Sequence, residues 1–86
     1  MSDTTIIGIM MQDRNALAEG IAFIENKVDF FDDSLMQQLF QVMQQLYIDN
    51  KPVDIMTLAI ACKKDQRFPK DMALRLTEID MKAAGH

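Results

Sequence analysis

Few side chains in this 86-residue chain are of a type that performs chemistry: one cysteine, one histidine and two close pairs of carboxylates. A thiol and an imidazole held together make a nucleophile with its base, or half of a zinc site. Cys62 and His86 do not combine in this way. His86 is terminal, where chains fray, and no second histidine or cysteine completes a Cys/His zinc set. Cys62 falls beside Leu58 and Ala59 on the apolar side of a helical stretch and reads as a small core residue. As a lone cysteine it forms no internal disulfide. Asp32 with Asp33, and Glu78 with Asp80, are spaced to flank a metal or a substrate, but they read as helix-capping and surface carboxylates. No Gly-x-x-x-x-Gly-Lys-[Ser/Thr] loop is present to cradle ATP phosphates. The expectation is a chain that is no enzyme, with no catalytic, cofactor-binding or metal-binding residues and no cofactor.

With catalysis set aside, surfaces become the question, and charge bounds their partners. A net charge of −4 argues against an electrostatic footprint on nucleic acid, which needs Lys and Arg to neutralise phosphates. The charge is uneven: residues 1–62 hold Arg14, Lys27 and Lys51 against nine acids, whereas residues 63–86 hold six basic residues against four acids. A local basic edge is therefore possible, although Lys63 and Lys64 also sit where a helix C-terminus welcomes cations. Apolar residues make up 49% of the chain, which excludes wholesale disorder. The longest run without a polar residue, Ile6 to Met11, is far shorter than the roughly 20 residues of a membrane span, and no basic segment precedes it. A cytoplasmic protein without membrane contact is expected. This length supports one core, burying about 60–65% of the unfolded surface.

Periodicity gives an all-α chain of about five helices, expected to pack as a compact orthogonal bundle in a single domain over residues 1–86. The first helix, near Thr4 to Met11, is apolar almost all round, as suits a segment with several neighbours. The second, Arg14 to Asn26, carries Leu17, Ile21 and Ile24 inward, and Gly20 within it would permit close approach of a neighbouring helix. The third runs from Ser34 to Asp49. Asn50-Lys51-Pro52-Val53-Asp54 then forms a joint: Asn50 and Lys51 end the run, Pro52 cannot continue it, and Asp54 is placed to cap the next helix, Ile55 to Lys64. The fifth follows Pro69, from Lys70 to Ala84, with Met72, Leu76 and Ile79 inward.

The third helix holds the clearest functional pattern. Leu35, Leu39, Val42 and Leu46 form one stripe, and Met36, Phe40, Met43 and Tyr47 form a second about 100° away. An apolar arc roughly 160° wide exceeds one packing seam. Either the helix is central in the bundle, or the second stripe is a partner surface, for which methionine and aromatic side chains are well suited. Met36, Phe40, Met43 and Tyr47 are accordingly the candidate partner-binding residues. Gln37, Gln38, Gln41, Gln44 and Gln45 fill most of the remaining arc. A polar face without charge is consistent with contact with another protein.

Three patches resemble the N-terminal domain of the DnaB family of bacterial replicative DNA helicases, over roughly residues 3 to 80. Ile6-Ile7-Gly8-Ile9-Met10-Met11-Gln12-Asp13 is similar to the family's opening helix. Asp29-Phe30-Phe31, followed by Leu39-Phe40, resembles its acidic-aromatic approach to a long helix. Lys51-Pro52-Val53-Asp54-Ile55-Met56-Thr57-Leu58-Ala59 is close to its proline-apolar-Asp-apolar-apolar-Thr-Leu signature and is the most specific of the three. Leu35 and Met36 stand where the family often has a His-Arg pair, and the Phe31 to Phe40 spacing is one residue long. These departures point to a divergent member, of phage or prophage character.

The resemblance implies a non-catalytic interaction module of the primosome, a head that organises a helicase collar by self-association with other helicase subunits and contacts primase or a loader in DNA replication. The family's helical hairpin and ATPase domain, expected to follow such a head, have no counterpart in the 86 residues. Possible homo-oligomers and protein partners are expected, and no direct nucleic-acid binding. Two other readings stand beside this one. A stand-alone phage protein could imitate the helicase head and modulate host replication. Alternatively, the last two helices could be a helix-turn-helix of a DNA-binding regulator, with Arg75 and Lys82 on the second helix. The acidic balance and the long Lys64 to Lys70 connection count against that reading.

Overall fold

Helices begin in this chain where a short oxygen-bearing side chain precedes an apolar run, since such a side chain can take up amides that have no partner within the helix. The computed structural model describes residues 2–24, 27 and 29–84. Ser2 caps α1 (Asp3–Gln12), its Oγ accepting the Thr5 amide at 3.3 Å. Asp13 both ends α1 and starts α2 (Arg14–Ile24). Its N–H donates to the Ile9 carbonyl at 3.1 Å, and its Oδ1 accepts the amides of Asn15 and Ala16 at 2.9 and 3.3 Å. Asp33 caps α3 (Ser34–Ile48) through the Leu35 amide, and Asp54 caps α4 (Ile55–Lys63) through the Thr57 amide, each at 2.8 Å. The expected role of Asp54 is thus what the structure shows.

The last helix, α5 (Met72–Ala84), starts two residues later than its pattern suggested. Lys70 and Asp71 complete a turn in which the Met72 N–H donates to the Pro69 carbonyl at 3.2 Å. As expected, Asn50 and Lys51 close α3, which ends at Ile48 ahead of Pro52; Asn50 takes a left-handed conformation, φ 59°. Lys51 then donates to the Leu46 carbonyl at 2.8 Å and Asn50 to that of Tyr47 at 3.0 Å, a Schellman closure with asparagine in the usual glycine position. The expected end of the second helix at Asn26, and His86, lie outside the described residues.

Among the described residues there is no strand, and the fold is all-α. α1 is its axis, packing on α5, α2 and α3, as its all-round apolar character requires. α4 packs on α5 and more lightly on α3. Their side chains merge into one core, centred on Ile7, Leu17, Leu39, Phe40, Leu58 and Leu76 and extended by Phe31, Val53 and Phe68 from the connections. Two glycines set helix approach. A Cβ on Gly8 would lie 2.7 Å from the Ala83 Cβ and 3.0 Å from the Ile79 carbonyl oxygen, so α1 and α5 touch there. The neighbour that Gly20 admits is the Met10 side chain of α1. Gln12 Nε2 ties α1 to α5 by donating to the Asp80 carbonyl at 2.8 Å, and Asp3 Oδ2 accepts the Asp33 amide at 2.9 Å. The radius of gyration, 11.7 Å, matches the roughly 12 Å of a close-packed chain of this length. No helix among the described residues is long and apolar enough to cross a membrane.

Candidate protein interaction surface

Of the four expected partner-binding residues, the structure buries three. Met36, Phe40 and Met43 lie in the core, with Phe40 only 1% exposed and its ring 5.5 Å from that of Phe31. The arc of α3 is wide because the helix packs against both α1 and α4. Both stripes therefore serve packing, and the buried three offer no surface to a partner in this fold. Tyr47 alone is half-buried, its ring beneath the Arg14 guanidinium at 4.8 Å while Arg14 Nη1 donates to the Lys51 carbonyl at 3.1 Å. This cation–π contact ties the start of α2 to the joint between α3 and α4. The glutamine face is no uniform free surface either. Gln41 and Gln45 are exposed, but Gln37, Gln38 and Gln44 are half-buried, and Gln37 Oε1 accepts the Phe31 amide at 3.4 Å.

An exposed apolar surface lies instead on α4. Of its nine residues only Lys63 is charged, so it resembles α1 in being apolar around its whole circumference. Unlike α1, it has no neighbour on its outer side among the described residues. Leu58 and Cys62 face the core, while Met56 and Ile60, one turn apart, are 74% and 53% exposed. A hollow of about 300 Å³ bordered by Gln41, Val42 and Arg67 lies between α3 and α4. A larger groove of about 770 Å³ runs between α4 and α5, lined by Ala59, Ile60, Phe68, Met72 and Ala73. Leu74 and Met81 on α5 are exposed as well. Reading the sequence missed this surface, although its signal was present: a helix with one charge in nine residues needs cover on every side.

The charged residues lining the larger groove are Lys63, Asp65 and Lys70. Arg67 grips the Asp65 carboxylate with two nitrogens, Nη2 to Oδ2 at 2.7 Å and Nε to Oδ1 at 3.1 Å. That grip holds the Asp65 carboxyl below the usual carboxylate range and raises Arg67 in turn. The pair is electrically neutral, which leaves Lys63 and Lys70 to give the groove its positive sign. Cys62 lies at its floor. Burial first, and then the nearby Asp65 charge, push the thiol up to about 11, so at neutral pH it is protonated and a poor nucleophile.

The acid pairs have structural uses. Asp33 caps α3, and Asp80 accepts a hydrogen bond from Gln12 at 3.1 Å, while Asp32 and Glu78 are exposed. No group of three or more His, Cys, Asp or Glu side chains that could hold a metal ion occurs among the described residues. The connection from α4 to α5, residues 64–71, is longer than the roughly three- to four-residue turn of a helix-turn-helix.

Compared with known protein families, residues 2–84 match the one described as DnaB-like helicase N terminal domain. No curated protein and no solved structure gives a significant match.

Proposed function

The chain belongs to the DnaB-like helicase N-terminal domain family, and from that membership we propose that it is a non-catalytic interaction module in DNA replication, working through self-association and through contacts with primase or a helicase loader. One observation carries the proposal beyond the family: α4 exposes Met56 and Ile60 although it is apolar on every face. In a monomer, such side chains in water forgo the stabilisation of burial, about 25 cal/mol per Å² of apolar surface. Docking onto a partner recovers it, and methionine adapts readily to another protein's contours.

Sedimentation velocity of the 86-residue chain, alone and with purified primase, tests this reading. Reversible association in the micromolar range is expected, weakened about tenfold by Met56→Glu with helical content unchanged. If neither self-association nor primase binding occurs at high micromolar concentration, the proposal fails.

A further inference from the structure

We propose that the groove between α4 and α5 receives an acidic amphipathic helix from a partner protein, apolar face inward and carboxylates over the lysine rim. The inference rests on the interaction-module reading and specifies what one surface of that module takes. The floor and walls are aliphatic and aromatic, from Ala59, Ile60, Phe68, Met72 and Ala73, and about 770 Å³ is room for several anchoring side chains. Charged groups stand at the rim. With Asp65 neutralised by Arg67, what remains is Lys63 and Lys70, both exposed and without an ionic partner among the described residues. The local sign is therefore opposite to that of the whole chain, whose net charge is −4.

That sign selects the occupant. A second copy docking groove to groove by a two-fold contact would set lysine rim against lysine rim, which like-charge repulsion disfavours. A polar small molecule would need donors and acceptors converging inside the groove, and its walls supply few. A helix with large apolar residues at i, i+3, i+4 and i+7 and glutamates along its flanks satisfies both the walls and the rim.

The probe is a fluorescein-labelled 18-residue helical peptide with leucines at that spacing and glutamates elsewhere. Two controls accompany it, one with lysine in place of glutamate and one with the leucines scrambled. Fluorescence anisotropy with the whole chain should show the acidic peptide binding in the tens of micromolar and both controls at least about tenfold weaker. Ile60→Glu, at an exposed position, should abolish binding with circular dichroism unchanged. Lys63→Glu with Lys70→Glu should weaken it about tenfold at low salt and less at high salt. Equal binding of the lysine peptide, indifference to Ile60→Glu, or no binding overturns the proposal. So does a chain that self-associates through this groove or prefers anionic vesicles, each measured with the same variants. If primase still binds the Ile60→Glu variant unchanged, the groove proposal falls while the interaction-module reading stands. If the peptide binds the groove but neither primase nor a second copy associates, the module reading falls and the groove remains.

Discussion

Asp54 starts α4 with a single carboxylate oxygen, 2.8 Å from the Thr57 amide. That hydrogen bond, followed by one from the Thr57 hydroxyl, holds its carboxyl below the ordinary aspartate value of 3.8. The sign of the pH dependence follows. A folded-state value below the unfolded one means that the ionised cap stabilises the fold fully above the ordinary value, and that this stabilisation disappears as pH falls through the lower folded value. Asp54→Ala should therefore cost about 1 kcal/mol at neutral pH, within the roughly 0.5–2 kcal/mol range of N-caps, with Asp54→Asn costing much less. Urea melts checked at pH 7 and again near pH 2 should find the alanine penalty smaller at the acid end. A penalty that does not change with pH would show that the carboxylate is not the capping group. This residue was legible in the sequence because Pro52 and an apolar run bracket it. The double duty of Asp13 was not, since it depends on an extended backbone at one residue between two helices.

Between elements, the close approach of α1 to α5 depends on what Gly8 lacks. An added Cβ would meet the Ala83 Cβ at 2.7 Å and the Ile79 carbonyl oxygen at 3.0 Å, neither of which can turn aside. The helix-propensity gain from Gly to Ala, about 1 kcal/mol, competes with an overpacking cost of about 1–3 kcal/mol. At Gly20 the added methyl group would meet the sulfur of Met10, a flexible side chain that can rotate. Gly8→Ala should therefore lower the melting temperature, while Gly20→Ala should leave it nearly unchanged or raise it. Thermal melts of the two variants side by side decide the matter, and a more stable Gly8→Ala would mean that the helices do not touch there. Helix period announces which residues of an element face inward, so five helices and most core positions were readable in advance. It does not announce how many neighbours the element has. The wide arc of α3 turned out to be filled by α1 and α4, whereas the arc of α4 is left open toward solvent, and only the assembled fold separates the two cases.

For the molecule as a whole, the decisive contact joins the two ends of the chain. α5 lies against both α1 and α4, and Leu76 at its centre is fully buried. A chain of this length is expected to hold only about 4–13 kcal/mol of folding stability, at roughly 0.05–0.15 kcal/mol per residue. Truncating one buried leucine costs about 2–5 kcal/mol. Leu76→Ala should thus remove a large share of the total and lower the melting temperature by at least about 8 °C, given some 4–8 °C per kcal/mol in domains of this size. Because α5 completes the core instead of decorating it, the loss should appear as one cooperative transition. Circular dichroism of the helices and the near-ultraviolet signal of Tyr47, whose ring sits under Arg14 at the junction of α2 with the α3–α4 joint, should melt together. If the tyrosine signal persisted while part of the helical signal was lost first, α5 would be an independent appendage. The groove it shares with α4 would then not be a rigid surface for a partner.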